Sequence, residues 1–377
     1  MKRKEIFPQV IPGGIKHVLW EGDNADVLEM MQKDYAGTVR FVYIDPPYNT
    51  GRMQYRSFKD RFWDHYSRDR HGNWLAFMRE RFERLLPLLT DDASVFVSID
   101  DAELPHLILL LREIFGKDNV EVMIWDKMPP GGSAGQGKMK RVKRFRTEHE
   151  YILVAMKDRQ RVRFNKIRRV IPTQRTYGNP DNDPRGPWIS AEICKSAKKS
   201  LPGRKNYYTI VTPSGRKITR QWHFSRDEFD RLDRDGRIWW GNGRIIPRLK
   251  KFVNEPRPVT PGSVIRNISQ TEGKRDLENY TGTSGFYNPK PVRLIKYLLE
   301  MATRPGDKVL DFFAGTGSTG HAVMEYNTEQ DAGLQCILVS NNENNSLQEF
   351  LVPRLKNYLE RHPTPQYWEW RVCREDF

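Results

Sequence analysis

Two short stretches of this chain hold residue types that could do chemistry on a planar, amino-substituted ring. The first is Ile44-Asp45-Pro46-Pro47-Tyr48-Asn49-Thr50-Gly51. Two prolines directly after an apolar run keep the backbone extended and remove two N–H donors, which leaves nearby carbonyls free to accept hydrogen bonds. Asp45 adds an anionic acceptor and Tyr48 an aromatic plate. Two acceptors beside a stacking ring suit an exocyclic amine; the plain alternative is a rigid turn closing a βα loop. The second stretch is Val309-Leu310-Asp311-Phe312-Phe313-Ala314-Gly315-Thr316-Gly317-Ser318-Thr319-Gly320. Glycine at 315 and 317 permits positive φ and lets a ligand touch the backbone. In doubly wound sheets such a turn lies at the carboxyl edge, where nucleotide-like ligands bind. The spacing is not the dinucleotide Gly-x-Gly-x-x-Gly, and no Gly-Lys-Ser/Thr for a triphosphate is present. Asp311, two residues before Phe313, is placed to meet a cofactor's polar groups. Glu343, just past the next apolar run, is placed like an acid that grips ribose hydroxyls. A tight structural turn would account for Gly-x-Gly taken alone.

The surrounding sequence supplies elements to position both stretches. Arg40 to Ile44 reads as a short buried strand by its β-branched and aromatic content. Trp74 to Leu89 carries Leu75, Met78, Phe82, Leu85, Leu86 and Leu89 at helical spacing. Ser94–Ile99 is a second strand, followed by Asp100-Asp101 and a leucine-rich helix through Leu111. The acidic pair is expected as a helix N-terminus. From about Lys157 the rhythm breaks into Gly, Pro, Arg and Trp, with turns at Asn179-Pro180, Gly186-Pro187 and Pro213-Ser214-Gly215. It resumes at Pro291 with a helix through Met301, the turn Arg304–Asp307, a strand Lys308–Phe313, a helix to about Tyr326, and a strand Cys336–Val339. This order predicts a parallel sheet covered on both faces, split as 1–156 and 284–377 around an insert, 157–283. Segment 128–146, glycine-rich and then basic, reads as a mobile loop.

Charge separates the insert from the rest. The chain carries a net +15, and residues 157–278 alone hold 29 Lys and Arg against 13 Asp and Glu, a net +16. Charge confined to one segment points to a polyanionic partner, nucleic acid above all, rather than to a uniformly solvated surface. No stretch approaches the ~18 apolar residues of a membrane span, and the first residues lack the apolar segment of a secretory signal. Cys194, Cys336 and Cys373 lie far apart with no Cys-x-x-Cys pair, so neither a disulfide framework nor a zinc site is expected, and a reducing cytoplasm fits.

Together, Asp45-Pro46-Pro47-Tyr48 and Phe313-Ala314-Gly315-Thr316-Gly317 resemble the amino-methyltransferases of DNA. With the catalytic motif preceding the cofactor motif, the chain looks like their β group, and among these it is similar to the modification subunits of type III restriction systems. The resemblance runs through nearly the whole chain. Glu21-Gly22-Asp23-Asn24 matches the cofactor-adenine segment, and Phe286-Tyr287-Asn288-Pro289-Lys290-Pro291 the segment that holds the methionine end. Ser98–Asp101 and Thr147–Tyr151 fall on scaffold motifs. Asn182–Trp188 and Gly236–Gly241 are similar to stretches of the type III insert. Relatives often have Leu-Pro before the acid at Glu343, whereas this chain has Asn341-Asn342. The resemblance implies a Rossmann-like, doubly wound α/β fold: a mostly parallel, seven-stranded methyltransferase sheet with a small basic target-recognition insert. It implies S-adenosylmethionine as cofactor, held by Asp23, Asn288, Pro289, Lys290, Asp311, Phe313, Gly315, Gly317 and Glu343. The catalytic residues would be Asp45, Pro46, Pro47 and Tyr48, with no metal.

The chemistry then follows. An aromatic amine is a poor nucleophile because its lone pair is delocalised into the ring. Accepting its two N–H bonds, at the Asp45 carboxylate and the Pro46 carbonyl, favours a pyramidal nitrogen, and the methyl transfers in line. A base inside a duplex must be flipped out to reach the site, stacking on Tyr48. In-line transfer requires the two turns to sit side by side, so Arg40–Ile44 and Lys308–Phe313 should be adjacent parallel strands. Adenine N6 of double-stranded DNA is the expected target. Cytosine N4 (whose motif usually begins with Ser), RNA, and a catalytically silent DNA-recognition subunit are the alternatives. A second copy of the chain and a separate restriction subunit are candidate partners on which the sequence is silent. His149 reads as a hydrogen-bonded scaffold histidine, and Trp222, Trp239 and Trp240 as core of the insert or as DNA contacts.

Overall fold

The computed structural model describes residues 2–50, 70–129, 147–170, 176–241, 246–283 and 285–373; most of the basic loop expected at 128–146 lies outside them. The chain divides into two compact units, 1–166 with 260–377, and 167–259. The second unit is thus narrower than the 157–283 expected for the insert.

In the first unit the chain forms β1 (Lys2–Phe7), β2 (Ile15–Glu21), α1 (Asn24–Tyr35), β3 (Val39–Ile44), α2 (Arg70–Leu85), β4 (Leu89–Ile99), α3 (Leu104–Phe115), β5 (Val120–Asp126) and β6 (His149–Met156). Asp23 caps α1 by accepting from the Ala25 amide at 2.8 Å, satisfying a backbone N–H that the helix start leaves without a partner. On α2 the residues Trp74, Met78, Phe82 and Leu85 fall on one stripe, all fully buried. At ~1.5–3 kcal/mol per buried large apolar side chain, that stripe fixes the helix to the sheet.

The second unit holds β7 (Ile167–Arg169), β8 (Trp188–Ala191), β9 (Tyr207–Val211), β10 (Lys217–Gln221), α4 (Arg226–Arg234), β11 (Ile238–Trp239), β12 (Arg248–Phe252) and β13 (Arg257–Val259). Its strands make small antiparallel sheets: β9 with β10, β8 with β12 and β11, and β7 with β13. A core of Ile193, Ile210, Ile218, Trp222, Phe229, Leu232 and Ile238 holds it, so Trp222 is core, with Trp240 packed against that cluster and Trp239 tilted against Trp188. The Asp183 carboxylate accepts from Arg185 Nε at 2.9 Å and Lys250 Nζ at 2.8 Å, which pins the Asn182–Trp188 turn to β12.

Returning to the first unit, the chain adds β14 (Val264–Ile265), α5 (Gln270–Thr281), α6 (Val292–Ala302), β15 (Lys308–Asp311), α7 (Ser318–Gln330), β16 (Gln335–Ser340), α8 (Val352–Arg361) and β17 (Gln366–Val372). The sheet order is β1-β17-β2-β16-β15-β3-β4-β6-β5-β14. The expected seven strands are therefore corrected to ten among the described residues. The additions are edge strands, β1 and β17 beyond β2 and the two-residue β14 beyond β5, which pair backbone groups an open edge would leave exposed. β17 joins because Trp368 and Trp370, two apart, bury against the sheet. Only β1 and β6 run against the other strands. Helices α1–α3 pack on one another, as do α5–α8. All six residues of β3 are buried, as expected of a central strand covered on both faces.

β3 and β15 are adjacent and parallel, with Val309 opposite Phe41 and Leu310 opposite Val42. The reversal in strand order falls between them, since the chain runs outward from β15 to β16 and from β3 to β4. Buried Arg40 fixes the alignment by pairing with Asp307 Oδ2 at 3.0 Å and Asp92 Oδ2 at 3.2 Å. Among the described residues no helix is long and apolar enough to cross a membrane.

Candidate active site

The turn after β3 is held from both ends. Buried Trp74 donates its Nε1–H to the Pro47 carbonyl at 2.7 Å. Asn49, fully buried and at φ 53°, donates from Nδ2 to Glu103 Oε1 at 2.5 Å and to the Arg70 carbonyl at 3.3 Å. Such a turn has little freedom, so Asp45 and Tyr48 point where the strand aims them.

Around this turn lies a charge cluster assembled from three distant segments. Lys290 Nζ, buried, stands 2.9 Å from Asp45 Oδ1 and 3.2 Å from Glu150 Oε2, and donates to Tyr48 Oη at 2.7 Å. Tyr48 Oη lies 3.3 Å from Glu150 Oε2, and Lys127 Nζ pairs with Glu150 Oε1 at 3.1 Å. Burial pushes the Asp45 carboxyl above its ordinary range, and the Lys290 ammonium opposes that rise. Burial would also raise Glu150, but Lys290 and Lys127 outweigh it and hold the carboxyl low. Burial, then the charges of Asp45 and Glu150, pushes the Tyr48 phenol well above its usual value, so Tyr48 is a neutral ring rather than a base. Among the described residues no donor is directed at the Pro46 carbonyl.

The turn after β15 is braced from within. Asp311, buried, accepts from the Phe313 amide at Oδ1 (2.9 Å) and from Thr319 Oγ1 at Oδ2 (2.6 Å). Burial raises its carboxyl to about 7, against those two bonds. Gly315 and Gly317 sit at φ 49° and 77°, and a Cβ on Gly317 would come within 3.1 Å of Leu351 Cγ. Here glycine is required by conformation, and at 317 by space as well. Asn24 donates from Nδ2 to the Phe312 carbonyl at 2.8 Å, which brings the Glu21–Asn24 segment against this turn. Beside Asn24, the Asp23 carboxylate lies half-exposed, 3.4 Å from Arg81 Nη2. Phe286 lies about 4 Å from where a Gly315 side chain would begin. Past β16, Glu343 Oε1 is buried and has no hydrogen-bond partner among the described residues. An unpaired buried carboxylate oxygen is costly unless a ligand donor meets it.

The structure thus brings the turns after β3 and β15 together at the carboxyl ends of adjacent strands. Asn288-Pro289-Lys290, expected at a cofactor's methionine end, places Lys290 against Asp45; Asn288 takes φ 50°, and Pro289 is buried with its carbonyl against Gly273 of α5. Asp311 spends both oxygens inside its own turn. Sequence reasoning missed Glu150 and Lys127 as site residues. The signal available was a glutamate directly before the apolar run Tyr151–Met156, on the same strand, since a buried charge requires a partner. His149 does make a scaffold bond, to Tyr151 Oη at 2.9 Å. Asp100 accepts from the Ala102 amide at 2.9 Å, so it closes the turn before α3 rather than capping the helix itself.

The chain is 32% identical to the Mod subunit of the type III restriction-modification enzyme StyLTI from Salmonella typhimurium, over 84% of this chain and 51% of that protein. It thus spans about half of that relative's length. It is 24% identical to the type II methyltransferase M.KpnI of Klebsiella pneumoniae, over 86% of this chain and 80% of that protein. Among solved structures, the cytosine-N4-specific PvuII DNA methyltransferase superposes with a TM-score of 0.49 at 12% identity, covering 93% of this chain and 91% of that one. A family model described as DNA methylase matches residues 39–345, from the first residue of β3 to two residues past Glu343, and the chain belongs to this N6/N4 DNA methylase family.

Proposed function

We propose that this chain transfers the methyl group of S-adenosylmethionine to the N6 amino group of an adenine flipped out of double-stranded DNA. One observation carries the reading: β3 and β15 are neighbouring parallel strands, so the Asp45–Tyr48 and Asp311–Gly317 turns open side by side. S-adenosylmethionine, when bound, supplies an electrophilic methyl group. The residues present suit it: Gly315 and Gly317 leave backbone accessible, the unpaired Glu343 Oε1 would accept from ribose hydroxyls, and Asp23 and Phe313 would flank the adenine half. Asp311 acts by shaping the turn. The Asp45 carboxylate and Pro46 carbonyl accept the two N–H bonds of the amine, while Pro47 keeps the turn rigid. Tyr48, neutral and bonded to Lys290, stacks on the base. Lys290 favours the ionised form of Asp45, so that an acceptor rather than a hydroxyl faces the amine.

The unit 167–259, with 21 Lys and Arg against 9 Asp and Glu, is proposed to contact DNA and set sequence choice. Because the relatives named above include a Mod subunit, a separate restriction subunit and a second copy of the chain are proposed partners. The reading is tested by incubating the protein with duplex DNA and methyl-labelled S-adenosylmethionine, then digesting the DNA to nucleosides. N6-methyladenine is expected. Label only in N4-methylcytosine, or in RNA but not DNA, would overturn it.

A further inference from the structure

Glu103 precedes α3 and is completely buried, yet among the described residues no lysine or arginine pairs with it. What face it are two imidazoles. His71, in the first turn of α2, places Nδ1 2.7 Å from Glu103 Oε1, and His106, one helical turn after Glu103, places Nδ1 3.1 Å from Oε2. The second contact lacks hydrogen-bond geometry: His106 Nδ1 and Glu103 Oε2 are both buried and without a hydrogen-bond partner. The two rings stack at 4.4 Å and 28°. One ligand atom from each residue lies within 4.8 Å of the other two. Two ligands ~2.1 Å from a tetrahedral ion stand ~3.4 Å apart, between the observed contacts and that limit.

We propose that His71, Glu103 and His106 form a binding site for a divalent transition-metal ion, zinc(II) by its donor set. A buried carboxylate needs a compensating charge, and an ion supplies it where the chain does not. Two nitrogens and one oxygen suit zinc, whereas magnesium and calcium prefer all-oxygen shells. His71 and His106 are about two-fifths exposed, which leaves a solvent-facing side for a fourth ligand. The ion would also bear on the proposed active site, because Glu103 Oε1 is the acceptor that anchors Asn49 one residue beyond Tyr48. Sequence spacing pairs Glu103 with His106 but not with His71, which is 32 residues from Glu103.

The test uses the full chain, stripped with chelator and titrated with zinc chloride against a chromophoric competitor, with cobalt(II) absorption as a second readout. One zinc per chain is expected, with a tetrahedral cobalt spectrum. The double variant His71→Ala/His106→Ala should weaken binding by more than the ~10–100-fold that outer-sphere partners typically cost. Both histidines are partly exposed, so this variant should fold, as checked by cooperative thermal unfolding. Glu103→Gln, which keeps an oxygen for Asn49, should also lose zinc. No stoichiometric zinc on the wild-type protein, or equal affinity in the double variant, would overturn the proposal. Neither result bears on methyl transfer as such.

Discussion

Replacing Lys290 by methionine should move the acid side of the pH–activity profile upward. The side chain keeps its length and loses its charge, in a site where Lys290 stands 2.9 Å from Asp45 Oδ1 and 3.2 Å from Glu150 Oε2. At 2.9 Å the Coulomb energy of a unit pair lies between ~1.4 kcal/mol in bulk water and ~6 kcal/mol at an effective dielectric constant of 20. Each pH unit corresponds to ~1.4 kcal/mol, so the shift should be at least about one unit. The sign follows from Asp45. Burial already raises its carboxyl and Lys290 opposes the rise; without the ammonium the group protonates at higher pH and loses its acceptor role there. Stability should also drop, by ~3–5 kcal/mol for a buried charge stripped of its partner, toward the lower end because Glu150 keeps Lys127. Initial methylation rates across pH, with urea unfolding of the same variant, measure both. An acid limb that stays in place in a folded, active Lys290→Met protein would refute the role given to Lys290.

Three further outcomes follow from contacts in the same unit. Gly273→Ala puts a Cβ 1.8 Å from the Pro289 carbonyl oxygen; the backbone must shift, so despite alanine's better helix propensity the variant should lose ~1–3 kcal/mol and much of its activity, read by thermal unfolding and methylation rate. Gly317→Ala meets both a φ of 77° and Leu351, and cofactor titration should show at least about tenfold weaker binding, a loss of ~1.4 kcal/mol. Trp74→Phe leaves the Pro47 carbonyl without its donor, costing ~1–3 kcal/mol and slowing methyl transfer more than it weakens cofactor binding.

Much of the fold and part of the site were legible in the sequence, for reasons that are physical. The β3–β15 adjacency could be derived because in-line chemistry tolerates only one placement of two turns 270 residues apart, and the runs at 40–44 and 308–313 read as strands, although the second ends at Asp311. The helix ending in Tyr326 and the strand near Cys336 were equally plain from periodicity, although α7 extends to Gln330. The Lys290–Asp45–Glu150 cluster was not legible: its members come from three segments, and no local pattern encodes which buried charge meets which. Neighbours in sequence point Glu150 to a scaffold motif and Lys290 to a cofactor segment, and neither points to the cluster with Asp45. The edge strands escaped for a different reason. β1 is rich in charge and β17 mixes Trp368 and Trp370 with Glu369 and Arg371, so neither shows the apolar run of a central strand.

The most direct test of the central claim is a paired measurement on Asp45→Ala: cofactor affinity by titration and single-turnover methylation of DNA in the same preparation. If the two turns divide the work as described, S-adenosylmethionine binding stays within a few-fold of wild type. Formation of N6-methyladenine then falls by at least about 10²-fold, the usual cost of removing one acceptor or donor at the reacting centre. Wild-type methylation by a folded Asp45→Ala protein would contradict the account at its root.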